Sequence, residues 1–201
     1  ITTGEGGAFT SPDEALVERV GMLSLHGMSA GAWNRYSSKG TWFYDVLEAG
    51  HKYNMSDIQA AIGVRQIERV DGFRKRRHAI AEFYSRELAG LEAVKTPAAC
   101  DHGVHAWHLY PVRVDGSALR VGRDELIAAL RDEGIGTSVH FIPVHYHRYY
   151  RELLGLGPGS LPVTESFFEQ AVSLPIYPAM TDEDAADVVS ALAKLIRYYK
   201  R

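Results

Sequence analysis

Three consecutive residues of this 201-residue chain, Lys52, Tyr53 and Asn54, offer a cation, a phenol and an amide side by side. They lie just before Ser56 and Gln59, whose spacing predicts a capping box and therefore the start of a helix. Polar side chains on a loop that enters a helix are well placed to hold an anion. Ordinary solvated loop residues have the same spacing, so the pattern alone leaves both interpretations open.

The nine histidines raise the question of a metal site. His105 and His108 are three residues apart in a predicted strand, which places their side chains on opposite faces. His145 and His147 share a face if a second predicted strand continues, but this pair has no nearby carboxylate or cysteine in the sequence. We therefore expect no metal ion.

Two common catalytic motifs do not occur in the sequence. The run Gly-Pro-Gly-Ser at 157–160 does not match the Gly-x-Ser-x-Gly turn of a serine hydrolase. There is also no Gly-x-x-x-x-Gly-Lys-Ser/Thr phosphate loop. Residue by residue, the chain thus contains polar loops but no self-sufficient catalytic motif.

The composition excludes several classes of protein. The 22 Lys and Arg residues are outnumbered by 25 Asp and Glu residues, so the basic run at 74–78 predicts a solvated helix face rather than a nucleic-acid patch. No run of about 18 apolar residues occurs, so we expect no membrane span. The single cysteine, Cys100, rules out an internal disulfide and fits a reducing compartment, and we expect a cytoplasmic protein.

The helix that begins after Ser56 is expected to organise the chain. Ile58 and Ile62 recur at helical spacing, which predicts one buried face. Helical patterning continues to a stop at Gly90, although a break near residues 71–72 is compatible with the sequence. A helix of this length suggests an element that joins two domains.

A first helix is predicted upstream, with Ser11 as its cap and Pro12 at its first position. Between the two helices, residues 26–49 form a long segment without periodicity that is rich in aromatic residues. Those aromatic residues are Trp33, Tyr36, Trp42, Phe43 and Tyr44. We expect this loop to pack over a site or a partner subunit.

The remainder of the chain predicts a smaller α/β unit. Its predicted elements are a strand over 105–114, a helix over 123–134, a strand over 139–144, a helix over 164–172 and a last helix capped by Thr181 and Asp184.

Five sequence blocks resemble one family of enzymes. They are Ile-Thr-Thr-Gly-Glu-Gly-Gly-Ala at 1–8, Gly-His-Lys-Tyr-Asn-Met-Ser-Asp-Ile-Gln-Ala-Ala-Ile-Gly at 50–63, His-Ala-Trp-His-Leu-Tyr at 105–110, and the segments 134–145 and 173–181. In this order they resemble the DegT/StrS family of sugar-nucleotide aminotransferases, which are pyridoxal-phosphate (PLP) enzymes of fold type I. The resemblance covers essentially the whole chain.

The resemblance implies an α/β fold that forms the C-terminal portion of a fold type I enzyme. Residues 1–70 would end the large PLP-binding domain and supply an interface loop, and residues 71–201 would form the small C-terminal domain. In the family, the lysine that forms the Schiff base with PLP stands just before the segment equivalent to Ile1. No catalytic residue is therefore expected within this chain.

The resemblance also implies roles for four residues. In the family PLP lies at a dimer interface, and Lys52 and Asn54 match positions that reach the cofactor of the partner subunit, where Asn and Arg are common. A lysine can still meet a phosphate as a point charge. The Lys-Tyr-Asn version is similar to the branch that aminates UDP-linked 4-keto pentoses. In that branch His140 matches a substrate-side histidine, and Tyr53 is expected to contact the substrate as well.

The activity implied is transfer of an amino group, usually from glutamate, to a nucleotide-linked keto sugar, by a homodimer. Such sugars serve in the biosynthesis of cell-surface polysaccharide, lipopolysaccharide or antibiotics. Two alternatives stay open at this point. One is a sugar dehydratase of the same family, in which histidine replaces the lysine, and the other is a non-catalytic fragment.

Overall fold

The computed structural model of the chain describes residues 1–29, 43–98 and 102–201. Trp33, Tyr36 and Trp42 of the predicted aromatic loop, and also Cys100, lie outside the described residues. The chain divides into two compact units, an N-terminal unit, Ile1–Val70, and a C-terminal unit, Asp71–Arg201. Among the described residues, no helix combines the length and apolar character that crossing a membrane requires.

The described part of the N-terminal unit contains two helices, α1 (Glu14–Ser24) and α2 (Asp57–Ile67). The predicted capping box of α2 is confirmed, because Ser56 Oγ accepts a hydrogen bond from the Gln59 N–H and Gln59 Oε1 accepts one from the Ser56 N–H. The cap predicted for α1 is wrong. Its N-cap is Asp13, because the helix begins at Glu14 and the Asp13 carboxylate accepts a hydrogen bond from the Leu16 N–H at 3.1 Å.

The described residues of the N-terminal unit include no buried apolar side chain. Ile58 and Ile62 of α2 are 78% and 44% exposed, so the buried face predicted for this helix is wrong for this chain. Apolar residues do recur at helical spacing in α2, but no described element of the unit packs over the face that they form. The apolar face of α2 is thus left at the surface of the chain.

The helix predicted to continue to Gly90 is divided into α2 and α3 (Val70–Leu88). Glu68 and Arg69 form the turn between them, slightly earlier than the break compatible with the sequence at 71–72. Helix α3 buries Ile80, Ala81, Tyr84 and Leu88. It is therefore the first element that contributes to the core of the C-terminal unit.

The C-terminal unit is a mixed α/β structure. Its sheet contains β1 (Val94–Lys95), β2 (Tyr110–Val114) and β3 (Ala171–Leu174) in the order β1-β2-β3, with both pairs antiparallel. The helices are α3, α4 (Arg123–Asp132), α5 (Arg148–Leu154), α6 (Pro162–Gln170) and α7 (Asp182–Tyr199). The core includes Tyr84 and Leu88 of α3, Tyr110, Val112 and Val114 of β2, Leu126 and Leu130 of α4, and Leu192 and Ile196 of α7.

Two predicted strands and one predicted helix differ from the structure. The strand predicted over 105–114 begins only at Tyr110, because the chain turns at Trp107, whose φ is 48°. No strand forms over 139–144, since the pairing with β3 is an isolated bridge at the preceding residue, Ser138, and the chain then enters a short 3-10 helix, Val144–Tyr146. The helix predicted over 164–172 ends at Gln170, so that Val172 is a buried residue of β3.

Candidate active site

The main chain of residues 51–53 is fixed along the C-terminal end of α1. The His51 N–H donates to the Leu23 carbonyl at 2.7 Å, and the Tyr53 N–H donates to the Ser24 carbonyl at 2.8 Å. Lys52 forms an isolated antiparallel bridge with Leu25. The loop that carries Lys52 is therefore held by backbone hydrogen bonds on both sides of the lysine.

Two glycines allow this loop to pass close to the end of α1. A Cβ atom at Gly50 would lie only 2.1 Å from the Gly27 nitrogen and 2.7 Å from the Leu23 carbonyl oxygen. Gly27 has a φ of +70°, and a Cβ there would lie 1.9 Å from the Glu48 carbonyl oxygen. Only glycine fits at either position without a shift of the main chain.

The three polar residues predicted for the site lie together at this loop. Lys52 Nζ donates a hydrogen bond to Asn54 Oδ1, which orients the ammonium group. Tyr53 is 76% exposed, and its ring stacks on His51 with the ring centroids 4.7 Å apart. All three residues line an open cleft of about 690 Å³, together with the Gly6 and Gly7 segment.

His140 belongs to the C-terminal unit, and its position is set by β3. Its Nδ1 lies 2.9 Å from Oγ of Ser173, a buried residue of β3. The main chain of Ser173 is paired with Ser138, which holds the segment that leads to His140. His140 is therefore a half-buried side chain whose ring is oriented by a hydroxyl group. It does not share a unit with Lys52, Tyr53 and Asn54.

A buried pair that the sequence analysis missed lies near His140 in the chain. His145 Nε2 lies 2.9 Å from Glu165 Oε1, and both side chains are almost fully buried. Glu165 also accepts hydrogen bonds from the Leu161 N–H at 3.0 Å and the Gly159 N–H at 2.7 Å. These two amides, followed by His145, lower the pKa of Glu165 from 4.5 to about 2. The carboxylate was missed because it is 20 residues away from the histidine.

The described histidines do not assemble a metal site. His105 Nδ1 accepts a hydrogen bond from the Trp107 N–H at 2.8 Å, and His145 is occupied by Glu165. Within the described ranges, no group of three or more His, Cys, Asp or Glu residues has a metal-binding arrangement.

Part of the basic run at 74–78 has a structural role that the sequence did not predict. Arg76 Nε donates to the Met180 carbonyl at 2.9 Å. Arg77 Nη1 donates to the carbonyls of Trp107 at 2.9 Å and Ile176 at 2.8 Å, and burial lowers the pKa of this guanidinium. A solvated face is therefore the wrong interpretation for Arg76 and Arg77, which fasten α3 to the loops that flank β2 and β3.

Comparison with curated sequences finds close relatives. The chain is 48% identical over 196 residues to the uncharacterized protein MJ1066 of Methanocaldococcus jannaschii. It is 46% identical over 198 residues to the spore coat polysaccharide biosynthesis protein SpsC of Bacillus subtilis. In both cases the match covers 98% of this chain and 51% of the relative, so the chain spans about half the length of the curated relatives it matches.

Solved structures with the same fold include PLP enzymes. Spr1654 of Streptococcus pneumoniae, named a sugar aminotransferase, matches in its PMP form with a TM-score of 0.80 and 28% identity, over 94% of this chain and 47% of that chain. Its PLP form matches with a TM-score of 0.78, also at 28% identity, over 94% and 45%. These matches confirm the fold type I prediction and indicate PLP as the cofactor.

The donor set at the loop fits one end of this cofactor. An ammonium group held by an amide, next to the N-terminus of α2, is a suitable partner for a phosphate.

The family itself is identified over almost the full chain. A sequence model of the DegT/DnrJ/EryC1/StrS aminotransferase family matches residues 1–193. This match includes all five blocks on which the resemblance was based. The chain therefore belongs to the DegT/DnrJ/EryC1/StrS aminotransferase family.

Proposed function

We propose that the complete protein uses PLP to transfer an amino group from glutamate to a nucleotide-linked keto sugar. Membership of the family supports the reaction class. The similarity to SpsC, a polysaccharide biosynthesis protein, supports a role in making a sugar for cell-surface polysaccharide. The observation that carries the proposal is the Lys52–Asn54 pair, a cation held in place on the loop before α2.

Each predicted residue has a defined task under this proposal. PLP, when bound, supplies the electron sink for exchange of the amino group. Lys52 neutralises the cofactor phosphate, Asn54 keeps the ammonium group oriented, and Gly50 permits the loop path on which both depend. His140 and Tyr53 contact the sugar nucleotide, and the hydrogen bond to Ser173 fixes the imidazole ring.

The proposal extends to the assembly and the two units. The N-terminal unit completes the large domain, the C-terminal unit is the small domain, and the protein is a homodimer in which Lys52 reaches the partner's cofactor. The reactive lysine precedes the residue before Ile1, as the family's order implies.

The experiment uses the full-length protein with PLP, 15N-labelled glutamate and UDP-linked 4-keto pentoses. The expected product is an amino sugar nucleotide that carries 15N, as mass spectrometry would show. A deoxy sugar without 15N would identify a dehydratase instead. The proposed activity would be contradicted if none of the keto sugars reacted and no 15N passed from glutamate to the bound cofactor. A histidine in place of the upstream lysine would likewise indicate a dehydratase.

A further inference from the structure

One face of α2 is in contact with the first residues of the chain. Gln59, Gly63 and Gln66 are spaced i, i+4 and i+7, so they lie along a single face of this helix. Residues 2–5 run along that face, within the same N-terminal unit. The pattern Gln-x-x-x-Gly-x-x-Gln was not assigned a role by the sequence analysis.

The two glutamines hold both ends of this short segment. Gln59 Nε2 donates to the Glu5 carbonyl at 2.8 Å, while its Oε1 accepts from the Ser56 N–H at 3.0 Å. Gln66 Oε1 accepts from the Thr2 N–H at 3.2 Å. Gln59 therefore has two separate tasks, since it caps α2 with one atom and holds the segment with the other.

Gly63 allows the segment to approach the helix between these two contacts. A Cβ atom at Gly63 would lie 3.2 Å from Thr3 Cγ2, which is tighter than most contacts of a real side chain. Thr3 is half-buried, whereas its neighbours Thr2 and Gly4 are exposed. The face is thus shaped to the segment as well as hydrogen-bonded to it.

We propose that Gln59, Gly63 and Gln66 form a positioning face that fixes the main chain directly after the reactive lysine. This inference rests on the proposed function, in which that lysine stands two residues before Ile1. An extended chain covers about 3.3–3.6 Å per residue, so the Thr2 anchor lies roughly 10 Å along the chain from the lysine. Anchors at this distance restrict where the lysine amine can lie. This restriction matters because a reactive group must be held within about 0.5 Å of its productive position.

The same substitution at the two glutamines gives opposite predictions. Gln59→Glu keeps an oxygen to cap α2 but cannot donate to the Glu5 carbonyl. Gln66→Glu keeps an oxygen that accepts from the Thr2 N–H. Of the two glutamate variants, only Gln59→Glu should therefore release the segment, although both add the same charge. Gln66→Ala removes the acceptor for the Thr2 N–H and should release the segment as well.

The first measurement is amide hydrogen exchange of residues 1–8 in the full-length protein without PLP. Gln59→Glu and Gln66→Ala should raise the exchange rate about fivefold, as expected for one lost hydrogen bond, whereas Gln66→Glu should match the wild type. Equal exchange in all four proteins, or an equal rise in both glutamate variants, would overturn the positioning face.

The second measurement is the pH profile of bound-cofactor absorbance, which a merely structural role would not move. Gln59→Glu should shift its midpoint relative to Gln66→Glu, which adds the same charge, while the melting temperature stays within about 2 °C of the wild type. An unshifted midpoint would overturn the link to the lysine. A full-length protein that binds no PLP would refute the proposed function instead. The exchange measurement needs no PLP, so it still shows whether the positioning face holds the segment.

Discussion

Among single residues, Lys52 and Asn54 could be singled out from the sequence because their motif is local, and their role at the cofactor stays a prediction. The path of their loop could not be predicted, since it depends on the close approach of the segments at Gly27 and Gly50, which are 23 residues apart in the sequence. Glu165 is a second case in which a contact between distant segments could not be predicted. A carboxylate 20 residues from its histidine has no local pattern, so the sequence analysis assigned His145 no partner.

Gly50→Ala tests whether the loop path depends on that crossing. The new Cβ would meet main-chain atoms at 2.1–2.7 Å, which cannot rotate away, so we expect a loss of stability of about 1–3 kcal/mol. Gly72→Ala is the control without a clash, because a Cβ at Gly72 meets nothing within 4 Å, and in helix α3 it should leave the protein as stable as the wild type or more stable. Urea unfolding of the full-length protein measures both, and equal stability of the two variants would show that the loop adapts at no cost.

At the level of elements, capping boxes were predictable, whereas strands were predicted only in part, since the strand predicted over 105–114 forms only over Tyr110–Val114. The caps at Ser56 and Thr181 depend on residues three positions apart, so the sequence alone is sufficient. A strand needs a partner as well as a pattern. The segment 139–144 has apolar residues, but the bridge to β3 lies at the preceding residue, Ser138, so no strand forms and His140 is instead placed by its hydrogen bond to Ser173.

The Glu165 carboxylate of α6 connects this helix to His145 of a 3-10 helix and to the Gly159 and Leu161 amides of the loop that precedes α6. Its pKa is about 2 in the folded chain against 4.5 for an ordinary glutamate. Since the folded pKa is lowered, the contribution of Glu165 to stability is present above about pH 4.5 and is lost as the pH falls toward 2.

Melting temperatures measured between pH 7 and pH 2 test this pH dependence. Glu165→Gln should be less stable than the wild type at pH 7, and the difference should shrink as the pH falls. Glu169→Gln, an exposed position on the same helix, is the control and should follow the wild type throughout. A constant difference between Glu165→Gln and the wild type across this range would contradict the role of the charge.

For the whole molecule, the contrast between the two units was not predictable from periodicity. The C-terminal unit contains the buried apolar core, whereas the described residues of the N-terminal unit bury no apolar side chain. Periodicity in α2 predicts an apolar face but does not say which chain covers it. The fold type, by contrast, was predictable through the resemblance, and the solved relatives confirm it.

The proposed homodimer is a prediction for the complete protein. Lys52 and Tyr53 are exposed on a loop with the stacked His51, which suits a contact with a partner subunit. We expect sedimentation of the full-length protein to give a dimer at enzyme concentrations that support full activity. A fully active monomer would contradict composite sites.

The central claim is that the N-terminal unit holds the cofactor phosphate through Lys52, while the C-terminal unit contacts the sugar through His140. The most direct test is the PLP dissociation constant of full-length variants, read from cofactor absorbance. Lys52→Ala should weaken PLP binding roughly ten- to a hundredfold, because it removes a charge-assisted contact of about 1.5–3 kcal/mol. Lys75→Ala, an exposed lysine on α3, is the charge-matched control. His140→Ala should keep its PLP and lose efficiency only toward the keto sugar. Normal PLP binding by Lys52→Ala together with loss of PLP from His140→Ala would contradict the account.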